Sequence, residues 1–252
     1  MNEYIHLHRD GDVARLVLDR PPLNILHIPM LREIEAGLVD LGESTRLFVI
    51  SGAGRAFSAG VDVGDHTVDR VEEMLAVFHG VIRRLLAAPF PVVAAVRGPA
   101  LGGGCELALA CDLVVASEDA RLGQPEIRLA VFPPVAAALL PRLIGPRRAL
   151  DLILTGRTLP AEEALQLGLV SRVVPSTSFE TEVEAYVTHL AGLSRPVLQL
   201  TKQVVHEGMG VTLAAAVEGA EERYLNDLMR LRDPHEGLAA FLEKRTPVWK
   251  DA

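Results

Sequence analysis

The segment "VVAAVRGPALGGGCELALACDLVVAS", Val92 to Ser117, admits few folds. Two runs of small and β-branched apolar residues, "VVAAV" and "LVVAS", have the composition of buried strands and lack the alternation of a half-exposed sheet. Between them lie a glycine triplet, Gly102 to Gly104, and a stretch that reads as a short helix. Strand, helix and strand in that order argue for an α/β core with parallel pairing. Glu106 sits inside this fatty stretch, where a carboxylate is costly unless it has a partner or a task.

The flanking sequence extends the same pattern. "YIHLHRD" and "VARLVLDR" alternate on either side of Gly11-Asp12 and predict a β-hairpin. Helical spacing runs from Ile28 to Leu41, and "RLFVISG" reads as another buried strand. A long helix is predicted over Val71 to Ala88, stopped by "PFP" at Pro89 to Pro91. From Arg147 onward the chain is helical in character, with almost no strand. These signals predict a core over residues 1–195 and a helical piece over 196–252. With 252 residues, 49% of them hydrophobic, the chain is long enough for one large domain with an appendage.

Charge and cysteine usage narrow the function classes. A formal net charge of −8 argues against nucleic acid or an anionic membrane as the main partner. Cys105 and Cys111 fall in one apolar run, which suits a reducing compartment and no disulfide framework. The opening "MNEYIHLHRDGD" lacks the features of a signal peptide, and no uninterrupted apolar run reaches the roughly 18 residues of a membrane span. The expectation is a cytoplasmic protein.

Two small-residue loops follow buried strands, "SGAGRAFSAGVD" and "RGPALGGG", and α/β folds place ligands at such strand ends. The first is no dinucleotide fingerprint, because Phe57 stands at the third glycine position. Nor is Ser58 a nucleophile elbow, since Ala56 replaces the required glycine. In the second, glycines let the backbone approach a ligand without interference from a Cβ. Their N–H groups lie near a helix N-terminus, where developing negative charge is favoured. One N–H from each loop would clamp a single oxygen as an oxyanion hole. Glu106 falls in the first helical turn, either as a proton-handling group or as a residue that favours the helix dipole. Glu126, 20 positions on in "GQPEI" and in an extended stretch, supplies a second carboxylate suited to proton transfer beside a carbonyl.

"SGAGRAFSAGVD", "PVVAAVRGPALGGGCELALACDLVVASEDARLGQPEI", "RRALDLILTGRTLPAEEALQLGLVSRVV" and "EGLAAFLEKR" together resemble the enoyl-CoA hydratase/isomerase (crotonase) family over nearly the whole chain. The resemblance implies a spiral of ββα turns, a helical C-terminal trimerisation region and acyl-CoA thioester substrates, with coenzyme A part of the substrate and no separate cofactor. It assigns the oxyanion hole to the N–H groups of Val61 and Gly103, and catalysis to Glu106 and Glu126. Ala59, Asp62, Val63 and Gly64 would touch coenzyme A, although the basic residue often found after this motif is absent. Hydratases of the family carry both glutamates, whereas many isomerases and hydrolases replace one. The implied assembly is a trimer or a dimer of trimers.

One departure bears on the substrate. Where the family pattern has a glycine-rich segment, this chain reads "FPPVAAALLPRLIG", with Pro134 in place of a flexible glycine. Pro133-Pro134 would stiffen the loop after Glu126, and Val135 to Leu140 would fill it with methyl groups. With "RPPLNIL", this segment is most similar to the cyclohexa-1,5-dienecarbonyl-CoA hydratases, which implies a cyclic dienoyl-CoA substrate. The alternatives are a short-chain enoyl-CoA hydratase, a double-bond isomerase using one glutamate, and a non-catalytic acyl-CoA-binding protein. The eight histidines show no metal-ligand spacing and read as structural or solvated, and no metal site is expected. Cys105 reads as a packing residue, Arg147-Arg148 as a surface pair and Trp249 as a packing or interface residue.

Overall fold

A computed structural model describes residues 2–42 and 44–252. The chain divides into two compact units, the first running through Ala88 and from Val92 to Glu184, the second comprising Pro89–Pro91 and Ala185–Ala252.

The first unit is built on a six-stranded sheet. Its strands are β1 (Ile5–Asp10), β2 (Val13–Leu18), β3 (Leu47–Gly52), β4 (Val92–Val96), β6 (Leu113–Ser117) and β9 (Arg172–Val174). They lie in the order β1-β2-β3-β4-β6-β9, antiparallel only between β1 and β2. A second sheet of β5 (Pro99–Leu101), β7 (Arg121–Gly123) and β8 (Thr158–Pro160) stands beside it. All five residues of β4 are buried, as expected of a central parallel strand covered on both faces. Ser51 of β3 pairs with Ala95 of β4, so the loops that follow these two strands leave the sheet side by side.

The predicted helices form as α1 (Ile28–Val39), α2 (Val71–Ala87) and α3 (Gly103–Leu109). Met74, Phe78, Val81, Ile82 and Leu85 make the buried stripe of α2, at the spacing of one helical face. Beyond them lie α4 (Pro134–Ile144), α5 (Pro146–Thr155) and α6 (Ala161–Leu167).

Three local expectations need correction. The stretch after Arg147 holds two strands, β8 and β9, each only three residues long and too short to show alternation. Glu126 lies in a 3-10 turn, Pro125–Leu129, and not in extended chain, because Pro125 at the first turn position presets φ for a helical turn. Pro134 stiffens no loop: it is the first residue of α4, where a missing N–H costs nothing, and Val135 to Leu140 are helical.

The helix α7 (Phe179–Ala191) passes from the first unit into the second, which otherwise comprises α8 (Arg195–Gly208), α9 (Leu213–Asn226) and α10 (Arg232–Glu243). Within this second unit Asp233 is buried and accepts the N–H groups of Lys250 (2.7 Å) and Asp251 (3.1 Å), which ties the C-terminal tail to α10. Trp249 donates its indole N–H to Gly192 O at 2.8 Å, a packing role.

His27 at the N-cap of α1 makes no side-chain cap. The cap comes instead from Asp65, whose Oδ2 accepts the Ile28 N–H at 2.9 Å while Oδ1 pairs with Arg70 at 2.9 Å. Asp65 is 2% exposed, so its removal strands a buried donor. Asp65→Ala is expected to lose about 2 kcal/mol of stability in urea denaturation. An unchanged midpoint would show that the contact contributes nothing.

Candidate active site

The loop after β3 is shaped by a splint, the segment "LNIL" from Leu23 to Leu26. Ala59 N–H donates to Leu23 O, Leu26 N–H to Gly60 O, and Asp62 N–H to Leu26 O, all at 2.8–2.9 Å. Asn24, buried and with φ of 52°, gives its amide N–H groups to the carbonyls of Ala53, Ala56 and Phe57. Ser58 Oγ donates to Asn24 O at 2.7 Å. Ser58 is thus a structural hydroxyl, in line with the rejection of a nucleophile elbow.

The second loop is held against the first through its glycines. A methyl group built on Gly103 would lie 2.5 Å from Val61 Cγ2 and 3.4 Å from Val61 N. One built on Gly102, whose φ is +52°, would lie 2.6 Å from Glu126 Oε1. The triplet therefore brings two backbones together and gives Glu126 room to reach them. Among the described residues, the protein gives no acceptor to the N–H of Val61 or of Gly103.

Both loops open onto a cavity of about 590 Å³ within the first unit. Ala59, Val61, Val63, Gly103, Glu106 and Glu126 all line it. Asp62 does not. It caps the 3-10 turn Val63–His66 by accepting Gly64 N–H at 3.0 Å. With Arg20, Ala59, Val61 and Val63 it also borders a neighbouring cleft of about 520 Å³. Gly64 lines neither space, its N–H being taken by Asp62. Arg20 borders that cleft and reaches Asp62 Oδ2 at 3.4 Å.

Glu106 is 3% exposed. Its Oε1 accepts the N–H of Ala136 at 2.7 Å, a donor from the first turn of α4 that has no intrahelical acceptor. Burial pushes its pKa up to about 7, against the stabilising N–H groups of Ala136 and Val135 and with the charge of Glu126 adding to the rise. Burial also raises Glu126, opposed by its own backbone N–H and by His66. Glu126 Oε2 is buried without a hydrogen-bond partner. Two carboxyls with raised pKa values thus share one cavity with two free N–H groups, a set able to move protons beside a polarised carbonyl. The Cys105 thiol, pushed up to about 12 by burial, stays protonated and is no nucleophile.

The chain matches the family described as "Enoyl-CoA hydratase/isomerase" over residues 8–252. The chain belongs to that family. It is 38% identical over 252 residues to "Probable enoyl-CoA hydratase echA8" of Mycobacterium tuberculosis, covering 97% of each chain. It is 35% identical over 249 residues to the cyclohexa-1,5-dienecarbonyl-CoA hydratase of Thauera aromatica, covering 98% of this chain and 96% of that one. A crystal structure of enoyl-CoA hydratase from Bacillus anthracis superposes with a TM-score of 0.93 at 34% identity, over 99% of this chain and 100% of that one. The crotonase-like α/β fold expected from the sequence is therefore the fold of this protein.

Sequence reasoning missed Asn24, Arg20 and the α4 N-terminus. A polar residue inside "LNIL" was a signal for Asn24, and tandem prolines before an apolar run were a signal for a helix start. Gly103→Ala would push a Cβ into Val61 and displace one or both free N–H groups. An expected loss on the order of 10²–10³ in kcat follows if they hold the reacting oxygen. Val61→Ala keeps its N–H and should be mild. Steady-state rates of the two variants check this, and a Gly103→Ala rate equal to the parent's would remove the N–H pair from the site.

Proposed function

We propose that this protein is a hydro-lyase of the enoyl-CoA hydratase type, adding water to a double bond conjugated to a CoA thioester. The observation that carries the reading is the meeting of Glu106 and Glu126 in one cavity with the free N–H groups of Val61 and Gly103. In this reading the thioester oxygen lies between those two donors, which stabilise the enolate charge that develops on it. The water oxygen bonds to the β-carbon while one carboxylate takes the water's proton, and the other carboxyl gives its proton to the α-carbon. One carboxyl must begin ionised and the other protonated, so the active pair holds a single proton. Activity then falls at high pH as that proton leaves and at low pH as a second one binds. An isomerase needs only one such group, and the presence of two favours hydration. No separate cofactor takes part.

Ala59, Asp62 and Val63 form the coenzyme A end in this reading, with Arg20 facing the phosphates across the neighbouring cleft, and Gly64, which lines neither space, takes no direct part. The acyl end is walled by Met74, Phe78, Leu129, Phe132 and the paired prolines Pro133-Pro134, an apolar surface preset by the start of α4. A rigid wall of this kind suits a ring, which loses little conformational entropy on binding, better than a flexible chain. The substrate we propose is a cyclic dienoyl-CoA such as cyclohexa-1,5-diene-1-carbonyl-CoA, a choice supported by the Thauera aromatica relative. A short-chain enoyl-CoA hydratase is the second reading, supported by the Mycobacterium tuberculosis relative.

Incubation with cyclic and linear enoyl-CoA thioesters, followed by mass, tests both points. A gain of one water with higher kcat/KM on the cyclic diene is expected. Glu106→Gln and Glu126→Gln should each lose about 10²–10⁴ in rate. An unchanged mass with a shifted spectrum means an isomerase, and better turnover of crotonyl-CoA means the short-chain reading.

A homotrimer or dimer of trimers is also proposed. Leu213, Phe241 and Leu242 of the second unit are each at least 80% exposed, which is unusual for large apolar side chains in a folded unit. Light scattering at micromolar concentration should give a multiple of three protomer masses, and a monomeric mass would refute the assembly.

A further inference from the structure

The stripe of α2 that lines the cavity carries Val71, Met74, Leu75, Phe78 and His79, at the i, i+3, i+4, i+7 and i+8 spacing of one helical face. Four of these side chains are apolar. His79 is the exception, and the chemistry described so far makes no use of it. Its Nε2 is buried without a hydrogen-bond partner, and among the described residues no group bonds to the ring at all. An unpaired buried polar atom opposes folding, a cost that leucine in the same place would not bring.

A single aromatic ring connects His79 to the glycine triplet. Phe78 Cζ lies 3.4 Å from the place where a methyl group on Gly103 would sit, and the Phe78 and His79 rings are 6.1 Å apart between centroids. The imidazole thus stands one ring away from Gly103, a distance that a six-membered acyl ring anchored by its thioester spans.

The state of the imidazole narrows what it can recognise. Burial lowers its pKa, and the positive Arg83 one turn along α2 lowers it further, so the ring is neutral at neutral pH. A neutral imidazole has one nitrogen that donates and one that accepts, and its χ2 is a broad torsion that turns either towards the space it lines. A hydroxyl both donates and accepts and so satisfies either tautomer, whereas a ketone satisfies only the donor. A carboxylate finds no charge on this ring and meets Glu106 and Glu126 in the same cavity. Arg128, which also lines the cavity, is exposed and screened.

We propose that His79 is a specificity-determining residue, which hydrogen-bonds a hydroxyl on the far side of the acyl ring, beyond the α- and β-carbons. The inference rests on the hydratase reading and narrows its acyl group. A hydroxylated ring would fill the pocket with its polar atom paired, while a plain hydrocarbon ring would leave the imidazole unpaired in a dehydrated cavity.

Isothermal titration calorimetry on the intact protein tests this with cyclohexanecarboxyl-CoA, which has no ring double bond to hydrate. It is compared with derivatives hydroxylated on the ring carbon next to the β-carbon or on the one opposite the thioester. At least one hydroxy derivative is expected to bind the parent about tenfold more tightly than the plain ring. His79→Leu should abolish that preference and bind the plain ring at least as well, which also shows that the variant folds. His79→Gln, which keeps a donor and an acceptor, should retain part of the preference. A merely structural role would weaken all these ligands alike in His79→Leu, and that result would overturn the proposal. So would a parent that binds no hydroxy derivative more tightly than the plain ring, or one that prefers a carboxylate at the opposite carbon. A hydroxyl preference lost in His79→Leu supports the proposal even if no enoyl-CoA is hydrated, a result that would defeat the hydratase reading alone.

Discussion

Two backbone segments meet at Val61 and Gly103 more closely than any side chain on Gly103 allows, and the cavity is arranged around that contact. The contact depends on the parallel register of β3 and β4, which delivers both loops to one edge of the sheet. It depends as well on the Leu23–Leu26 splint, without which the first loop would lack partners for Ala59, Gly60 and Asp62. Gly102 then admits Glu126, and the helix begun by Gly103 carries Glu106. One constraint, a missing Cβ, thereby joins sheet topology to the placing of both carboxyls.

Burying two carboxyls together opposes folding, and the structure compensates them unequally. Glu106 is deeply buried but receives the N-terminal N–H of α4, whose prolines at the cap and first position leave the next donors free. Glu126 is less buried and has no such donor. Burial raises both pKa values, and the charge of Glu126 adds to the rise at Glu106. The pair therefore resists full ionisation near neutral pH, the electrostatic condition for handing protons between water and a carbon atom.

Much of this was legible in the residues, for identifiable reasons. The strand–helix–strand of Val92 to Ser117 is long and its periodicity unambiguous, and the glycine triplet can serve little except a close approach. β8 and β9 escaped because three residues hold no period. The start of α4 was misread because tandem prolines suggest rigid loop, although proline is well suited to a helix's first turn. The 3-10 turn that carries Glu126 was missed because so short a stretch holds no helical period, although Pro125 suits its first position. His66 gave no signal at all. A histidine without ligand spacing reads as solvated, and only the folded turn brings it to the cavity.

The most direct test of the central claim is a crystal structure with a non-hydratable acyl-CoA thioester bound. The account predicts the thioester oxygen within about 2.7–3.1 Å of both the Val61 and the Gly103 nitrogen, with Glu106 and Glu126 flanking the α- and β-carbons. A thioester oxygen bonded to neither nitrogen, or an acyl group lying outside the cavity that Glu106 and Glu126 share, would contradict it.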